Sequence, residues 1–341
     1  MSQAKKKIIV ILGTTSSGKT RQAVKLANGF NGEVVSADSR QVYKGMDIGT
    51  GKDLSEYILP PDKGGIRGVL AISSKPPLTP PYPSDAKALA GRQGENKISY
   101  HLIDVVSPKK QFDLASYQKL AFKAIDDILK RGKLPILTGG SGLYLQAVVD
   151  NYKLSSIKKD LDLREKAETA SADELFGRLK NLAPKVAARL NQSDKNNKRR
   201  LVRYLEILEQ DKNFKTKTGR KLYDALIIGL ETPREILKER IAKRLIYRLK
   251  EQNLIGEVEG LHNRGLSWKR LEAFGLEYKF VSLYLQKQLS YEEMVEKLTI
   301  ALNQFSKRQL TWFKRWEKQG AKINWLDDEE KIRKLVEKFL K

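Results

Sequence analysis

The chain has 341 residues, of which 65 are Lys or Arg and 41 are Asp or Glu, giving a formal net charge of +24. With 40 % apolar residues, 31 % charged residues and a mean hydropathy of −0.50, it has the composition of a water-soluble globular protein of about two domains. The absence of cysteine excludes disulfides, thiol catalysis, iron–sulfur clusters and cysteine zinc sites, and the two histidines, His101 and His262, leave little material for a histidine metal centre.

No apolar run approaches the roughly 20 residues that a membrane span needs. The basic start Met1–Lys7 is followed only by the apolar run Ile8–Leu12, below the roughly 7-residue minimum of a secretory signal core. The expected location is the cytoplasm. Lys7–Leu12 (KIIVIL) reads as a buried strand closed by Gly13. Thr20–Ala27 reads as a helix with Ala23, Val24 and Ala27 on one face and Gly29 as its stop. Val34 and Val35 suggest a second strand that ends near Asp38. Leu102–Val106 and Leu134–Thr138 read as further strands, with an amphipathic helix over Phe112–Lys130 between them. Strands alternating with helices predict a parallel α/β sheet flanked by helices.

Two segments interrupt that pattern. Seven of the eleven prolines fall between Pro60 and Pro83, which makes 57–97 a loop-like insertion. From 151 to 224 helix signals dominate and no strand is evident. They include the capping box Ser171-x-x-Glu174 and the run Lys198–Glu209. This predicts an all-helical subdomain, 151–224, inserted into an α/β core made of 1–150 and 225–341. The sheet resumes at Ala225–Leu230. Thr232-Pro233-x-Glu235 reads as a capping box with proline at the first helical position, opening a helix to about Glu251. Ser290-x-x-Glu293 opens another, to about Glu317.

Gly13-Thr14-Thr15-Ser16-Ser17-Gly18-Lys19-Thr20 matches the phosphate-binding loop GxxxxGK[ST] in full, with a strand before it and a helix after it. The glycines let backbone N–H groups turn inward toward phosphate oxygens, the helix N-terminus adds partial positive charge, Lys19 adds a full one, and the Thr20 hydroxyl would hold Mg²⁺. The fold expected is therefore a P-loop NTPase-like sheet. The motif leaves open whether the phosphates belong to ATP. Asp38 sits just past a strand, at the carboxyl edge where ligands bind in such sheets, so it can hold metal or act as a base, or simply close an Asx turn. In the third block, LTGGSGLYL, a strand runs into Gly139, Gly140, Ser141 and Gly142. In the fourth, Asn196–Arg203, Leu201, Leu205 and Leu208 face a core, while Arg199 and Arg203 share the opposite helix face. That face suits a phosphodiester backbone or a pyrophosphate, or is a solvated basic face.

The charge divides into 22 basic and 13 acidic residues up to residue 150 and 43 and 28 beyond it, and favours a polyanionic partner, nucleic acid first.

Together these blocks resemble the tRNA dimethylallyltransferases, also called tRNA isopentenyltransferases. The resemblance rests on the phosphate loop, DSRQVYKGMDIGTGK, LTGGSGLYL and NNKRRLVRYLEI in that order. YHLIDVVSP, LREKAE and SKRQLTWFKRW support it. It spans nearly the whole chain apart from the proline-rich insertion. It implies transfer of the allyl group of dimethylallyl diphosphate to the exocyclic amine of the adenosine 3′-adjacent to the anticodon, with release of pyrophosphate. The phosphate loop, Gly13 to Thr20, would then bind a diphosphate leaving group with Mg²⁺ on Thr20. Asp38 would be the base, and Lys19 and Thr20 would act with it in catalysis. Asp38, Ser39, Arg40, Gln41 and Ser141 would contact the tRNA loop. Arg164 and Arg234 resemble the pyrophosphate-side arginines, Arg164 also lying on the tRNA side, and Arg199, Arg200 and Arg203 resemble the tRNA-binding stretch. A flipped adenine is implied, with the helical insertion gripping the anticodon stem-loop of the tRNA. A monomer is expected. The sequence departs from the family pattern at Tyr100, Lys198, Tyr204 and Ser141, and Ser141 keeps the hydroxyl of the usual threonine. The competing readings are prenylation of free adenylate, a small P-loop kinase or NTPase, and an RNA-binding module with a vestigial phosphate loop.

Overall fold

A computed structural model describes residues 6–58, 97–154, 157, 160–211 and 217–341. Most of the proline-rich insertion expected at 57–97 lies outside the described residues. Its two ends are pinned together, Ile98 N–H donating to Tyr57 C=O at 2.9 Å. The chain divides into two compact units, Met1–Val149 with Lys221–Lys341, and Asp150–Arg220.

The first unit begins with strand β1 (Lys7–Leu12), helix α1 (Lys19–Gly29), β2 (Gly32–Ser36), β3 (Tyr100–His101), α2 (Leu114–Lys130), β4 (Leu134–Gly139) and α3 (Gly142–Val149). The second unit holds β5 (Tyr152–Lys153), α4 (Leu161–Thr169), α5 (Ala172–Leu182), α6 (Pro184–Ala187), α7 (Gln192–Lys195), α8 (Lys198–Gln210) and β6 (Lys217–Thr218). The first unit then resumes with β7 (Asp224–Leu230), α9 (Arg234–Lys250), α10 (Leu254–Asn263), α11 (Trp268–Phe274), α12 (Leu276–Leu285), α13 (Tyr291–Lys318), β8 (Ile323–Leu326) and α14 (Glu329–Leu340).

Six parallel strands form one sheet in the order β3-β2-β4-β1-β7-β8. Strand β1 is buried on both faces, and its period of two splits it between two cores. Ile8, Val10 and Leu12 pack with Tyr117, Ile125, Leu145 and Phe313, whereas Ile9 and Ile11 pack with Val24, Ala27, Ile332 and Val336. Each of these β1 side chains is fully buried, worth roughly 1.5–3 kcal/mol apiece. A third core joins Val42, Tyr43 and Met46, from the loop after β2, to helices α9 to α13. Because all six strands run the same way, the loops after β1, β4 and β2 emerge side by side on one edge. That arrangement builds the site.

Three expectations are corrected. The strand expected over Leu102–Val106 is only Tyr100–His101. Leu102 and Asp104 take positive φ (65° and 56°), which ends a strand. The bend brings Asp104 onto the buried ammonium of Lys52, which donates to Asp104 Oδ1 (2.5 Å), Asp47 Oδ1 (2.8 Å) and Tyr43 C=O (2.6 Å). Satisfying a buried charge outweighs the β-propensity of the segment. The capping box at Thr232 does not form; Pro233 is itself the N-cap of α9 and no side chain caps it. The second unit is not free of strand, since β5 and β6 pair antiparallel near its two chain ends. Strand β8 and helices α10, α11, α12 and α14 had no counterpart in the sequence reading.

Within the second unit, Leu163, Leu175, Leu179, Leu201, Leu205 and Leu208 form the core. The capping boxes at Ser171 and, in the first unit, at Ser290 are both present. One carboxylate organises the outside of α8. The side chain of Glu206 is fully buried and takes Arg164 (Nε–Oε1 2.6 Å), Arg203 (Nη1–Oε2 2.9 Å) and the Asp160 N–H (3.1 Å).

Candidate active site

The phosphate loop leaves β1 at Gly13 and enters α1 at Lys19. Gly18 sits at φ 84°, the left-handed region that the tight turn into the helix requires. Lys19 Nζ donates to Thr14 C=O at 3.2 Å across the loop. Burial pushes its ammonium down to about 8 against the opposing pull of the Asp38 carboxylate, with Arg244 adding to the depression. The hydroxyls of Ser16 and Ser17 in this loop, and of Thr138 at the end of β4, are buried without a hydrogen-bond partner among the described residues. Such orphaned groups need a ligand or water to satisfy them.

Asp38 follows β2. Its Oδ1 accepts from Arg40 N–H (2.9 Å) and Gln41 N–H (3.4 Å). This is the Asx turn named above as the alternative to a functional role, yet the same side chain lines the cavity. The turn fixes the carboxylate rather than consuming it. Ser141, after β4, secures the same loop, its Oγ accepting from Ser39 N–H at 3.1 Å and its N–H donating to Ala37 C=O at 3.2 Å.

One cavity of about 320 Å³ gathers these parts, a volume within the usual range for small-ligand sites. Thr15, Ser16, Gly18, Lys19 and Thr20 line it from the phosphate loop, and Asp38, Ser39, Arg40, Gln41 and Ser141 from the other side. Gly13, Thr14 and Ser17 support the loop without lining the cavity. Arg234 is a correction. It is exposed at the first turn of α9 and does not line the cavity. The α9 arginines that do are Arg240, Arg244 and Arg248, spaced four apart and so on one face of the helix. Their spacing was readable in RIAKRLIYR. Arg244 donates to Thr15 Oγ1, and burial, then the charge of Arg248, push its guanidinium down to about 10. Arg248, 4 % exposed, is paired with Glu277 (3.0 Å). Lys19 and Arg244, two cations whose charge is disfavoured by burial, describe a site suited to an anion. Arg164, Arg199, Arg200 and Arg203 belong to the second unit. There Arg164 and Arg203 hold Glu206, Arg200 pairs with Asp194, and Arg199 is exposed with no carboxylate partner among the described residues.

A half-buried carboxylate supports the cavity wall from behind. Glu257 on α10 accepts from the backbone N–H groups of Asp47 (2.7 Å), Ile48 (2.7 Å) and Gly49 (3.0 Å) and from Tyr278 Oη (2.7 Å). It therefore ties the Gly-rich stretch 45–51, whose Gly49, Thr50 and Gly51 line the cavity, to the helices. An amide cannot accept four donors with both of its terminal atoms. Glu257→Gln is expected to lower folding stability by about 2–4 kcal/mol, read as a shift of the urea unfolding midpoint at unchanged slope.

No cluster of three or more His, Cys, Asp or Glu able to cage a metal occurs among the described residues. The donors that would hold a metal are the Thr20 hydroxyl and the phosphate oxygens of a bound diphosphate. That set fits Mg²⁺, which is characteristically held by few protein ligands together with substrate phosphates and water.

Comparison with known proteins gives the same picture. The model of the IPP transferase family matches residues 86–316, and that of isopentenyl transferases matches 6–59. A tRNA dimethylallyltransferase of Syntrophus aciditrophicus is 41 % identical over 327 residues, covering 95 % of each chain. One of Treponema denticola is 40 % identical over 324 residues, covering 93 % of this chain and 95 % of the other. Among solved structures, the tRNA isopentenylpyrophosphate transferase of Bacillus halodurans superposes with a TM-score of 0.63 at 32 % identity, covering 98 % of this chain and 96 % of that one. A eukaryotic dimethylallyltransferase acting on tRNA superposes with a TM-score of 0.65 at 25 % identity, covering 90 % and 69 %. The phosphate loop, the carboxylate opposite it and this likeness along the whole chain place the protein in the tRNA dimethylallyltransferase family.

Proposed function

We propose that the cavity transfers the dimethylallyl group of dimethylallyl diphosphate to the exocyclic amine of the tRNA adenosine 3′-adjacent to the anticodon, releasing pyrophosphate. The observation that carries this reading is the pairing of a phosphate loop with a fixed carboxylate in one cavity, at the ends of strands β1 and β2 on either side of β4. Phosphoryl transfer also uses a carboxylate beside a phosphate loop; what favours prenyl transfer is that this carboxylate sits in the DSRQVYKGMDIGTGK block.

The amine nitrogen attacks C1 of the allyl group as the C1–O bond breaks. The bonding pair leaves on pyrophosphate, and the amine proton passes to the Asp38 carboxylate. Lys19, Arg244 and Arg248 face the charge that develops on the departing oxygens, and their attraction grows along the reaction coordinate. Bound at Thr20 and the diphosphate oxygens, Mg²⁺ would supply further charge neutralisation to the leaving group. Arg40 and Gln41 line the cavity beside Asp38, where they could contact an entering base. An adenine stacked in an anticodon loop cannot reach Asp38, so the base is turned out of its stack.

The basic residues of 151–220, 18 against 10 acidic, favour contact with the RNA backbone in the second unit. The two arginines of α8 should separate in experiment. Arg199→Ala is expected to reduce the slope of log K against log salt for tRNA binding by roughly 0.7–0.9, the loss of one phosphate contact. Arg203→Ala removes a partner of buried Glu206 and is expected to destabilise the unit by about 1 kcal/mol or more, seen in thermal unfolding.

The reaction is tested by incubating the protein with Mg²⁺, radiolabelled dimethylallyl diphosphate and either unmodified tRNA or AMP. Label on tRNA at the adenosine 3′ of the anticodon supports the reading. Label on AMP alone assigns the cavity to free nucleotides, and ATP hydrolysis without label transfer assigns it to phosphoryl chemistry.

A further inference from the structure

Helix α13 carries SKRQLTWFKRW, a motif to which the reaction above assigns no step. Its Gln309 is 7 % exposed and lies at the wall of the cavity. The side-chain amide joins two loops. Its Oε1 accepts from the Thr15 N–H of the phosphate loop at 2.8 Å, and its Nε2 donates to the Gly140 C=O of the loop after β4 at 3.0 Å. The contact is close. A Cβ on Gly140 would lie 2.2 Å from Gln309 Nε2. One turn further on, Trp312 packs against Gly142, where a Cβ would lie 2.3 Å from the indole. The same helix is held by Phe313 and Trp316 in the core under the sheet and by Met294, Leu298 and Leu302 in the core of the C-terminal helices.

The loop after β4 is the one that holds Asp38 in place, through Ser141 to Ser39 and Ala37. A continuous hydrogen-bonded path therefore runs from the phosphate loop through a single amide to the loop of the carboxylate. The path matters because attack on an allyl carbon requires the amine and the leaving oxygen to be in line, on opposite sides of C1. Displacement of either group by about 1 Å costs about 10²-fold in rate.

We propose that Gln309 is a positioning residue that sets the spacing between the diphosphate cradle and the Asp38 loop. The proposal deepens the prenyl-transfer reading and rests on it. Gln309 touches neither the allyl carbon nor the amine in this scheme; it acts through Thr15 and Gly140. Its two ends are separable. Gln309→Glu keeps an acceptor for Thr15 N–H but faces the Gly140 carbonyl with a second acceptor. Gln309→Met keeps the length and removes both bonds.

The test measures single-turnover transfer from dimethylallyl diphosphate to unmodified tRNA, KM for the diphosphate, tRNA affinity and the unfolding midpoint for the wild type and both variants. All kinetics are run at least 15 °C below the lowest midpoint. The expected result for Gln309→Met is a 10- to 100-fold lower single-turnover rate with a severalfold higher KM for the diphosphate and tRNA affinity within twofold of wild type. Gln309→Glu should recover most of the KM while the rate stays low, because the phosphate loop regains its acceptor and the link to Gly140 does not. A single-turnover rate within twofold of wild type in both variants overturns the proposal, whether or not the midpoint falls, and leaves Gln309 as a packing residue. A variant that precipitates is replaced by Gln309→Asn, whose shorter amide must show the same loss of rate. A wild type that transfers no label to tRNA overturns the reaction itself, and the positioning role with it.

Discussion

Asp38→Asn is expected to lower the rate of prenyl transfer by about 10²–10⁴-fold, the usual contribution of a positioned general base, while tRNA binds as before. The substitution is chosen from the geometry. Asp38 Oδ1 accepts from Arg40 and Gln41 N–H, and an asparagine carbonyl can accept the same two bonds. The turn after β2 then survives, and with it the Ser39 and Arg40 surface proposed to meet a tRNA base. What disappears is a group that can take a proton. The exocyclic amine of adenine is a poor nucleophile because its lone pair is delocalised into the ring. A carboxylate hydrogen-bonded to it returns electron density as the N–C bond forms. Asp38→Ala removes the turn as well, so it should cost at least as much in rate and also weaken tRNA binding. Single-turnover transfer and filter binding on the same preparations separate the two effects. An asparagine variant with normal turnover would remove Asp38 as the base.

The two halves of this site were unequally legible in the sequence. The phosphate loop and Asp38 could be read because their chemistry is local: a glycine turn, a lysine and a hydroxyl within eight residues, and an acid at a strand end. Parallel strands bring the two together at one edge of the sheet, and alternation of strand with helix already predicted a parallel sheet. The arginines on α9 were within reach, since R-x₃-R-x₃-R marks one helix face. The family resemblance points instead to Arg234, six residues before the first α9 arginine that lines the cavity. Gln309 and Glu257 were not within reach. Gln309 binds Thr15 across 294 positions and Glu257 binds Asp47 across 210. Nothing in the local pattern of either helix marks these residues as different from an exposed polar side chain. Lys52 had the same effect on the fold. It drew Asp104 inward and cut short a strand that the composition of Leu102–Val106 supports. Long-range satisfaction of buried polar groups thus accounts for both the supports of the site missed in the sequence and the strand misread in it.

Lys19→Met is the second large effect expected, a fall of about 10²–10³-fold in the rate of transfer together with weaker binding of the diphosphate. Methionine keeps the length of the stem and deletes only the charge, so the turn at Gly18 and the start of α1 are retained. The loss should appear in kcat as well as KM, because the charge on the leaving oxygens is greater at the transition state than in the bound diphosphate. An interaction that grows along the reaction coordinate contributes to turnover and not to affinity alone. In the cavity the charge of this cation is disfavoured by burial, which an anionic ligand would offset. Burial holds Lys19 down to about 8 and Arg244 to about 10, and Arg244 and Arg248 repel one another four residues apart. An entering diphosphate would offset the burial of Lys19 and Arg244 together. Removing Lys19 therefore also relieves some repulsion on Arg244, which is expected to make the variant no less stable than wild type to urea in the absence of ligand. Wild type should gain more stability than the variant on adding dimethylallyl diphosphate with Mg²⁺, by RT ln of the ratio of their affinities when both are saturated. A variant that loses affinity but turns over at the wild-type rate when saturated would restrict Lys19 to binding and leave the developing charge to the arginines.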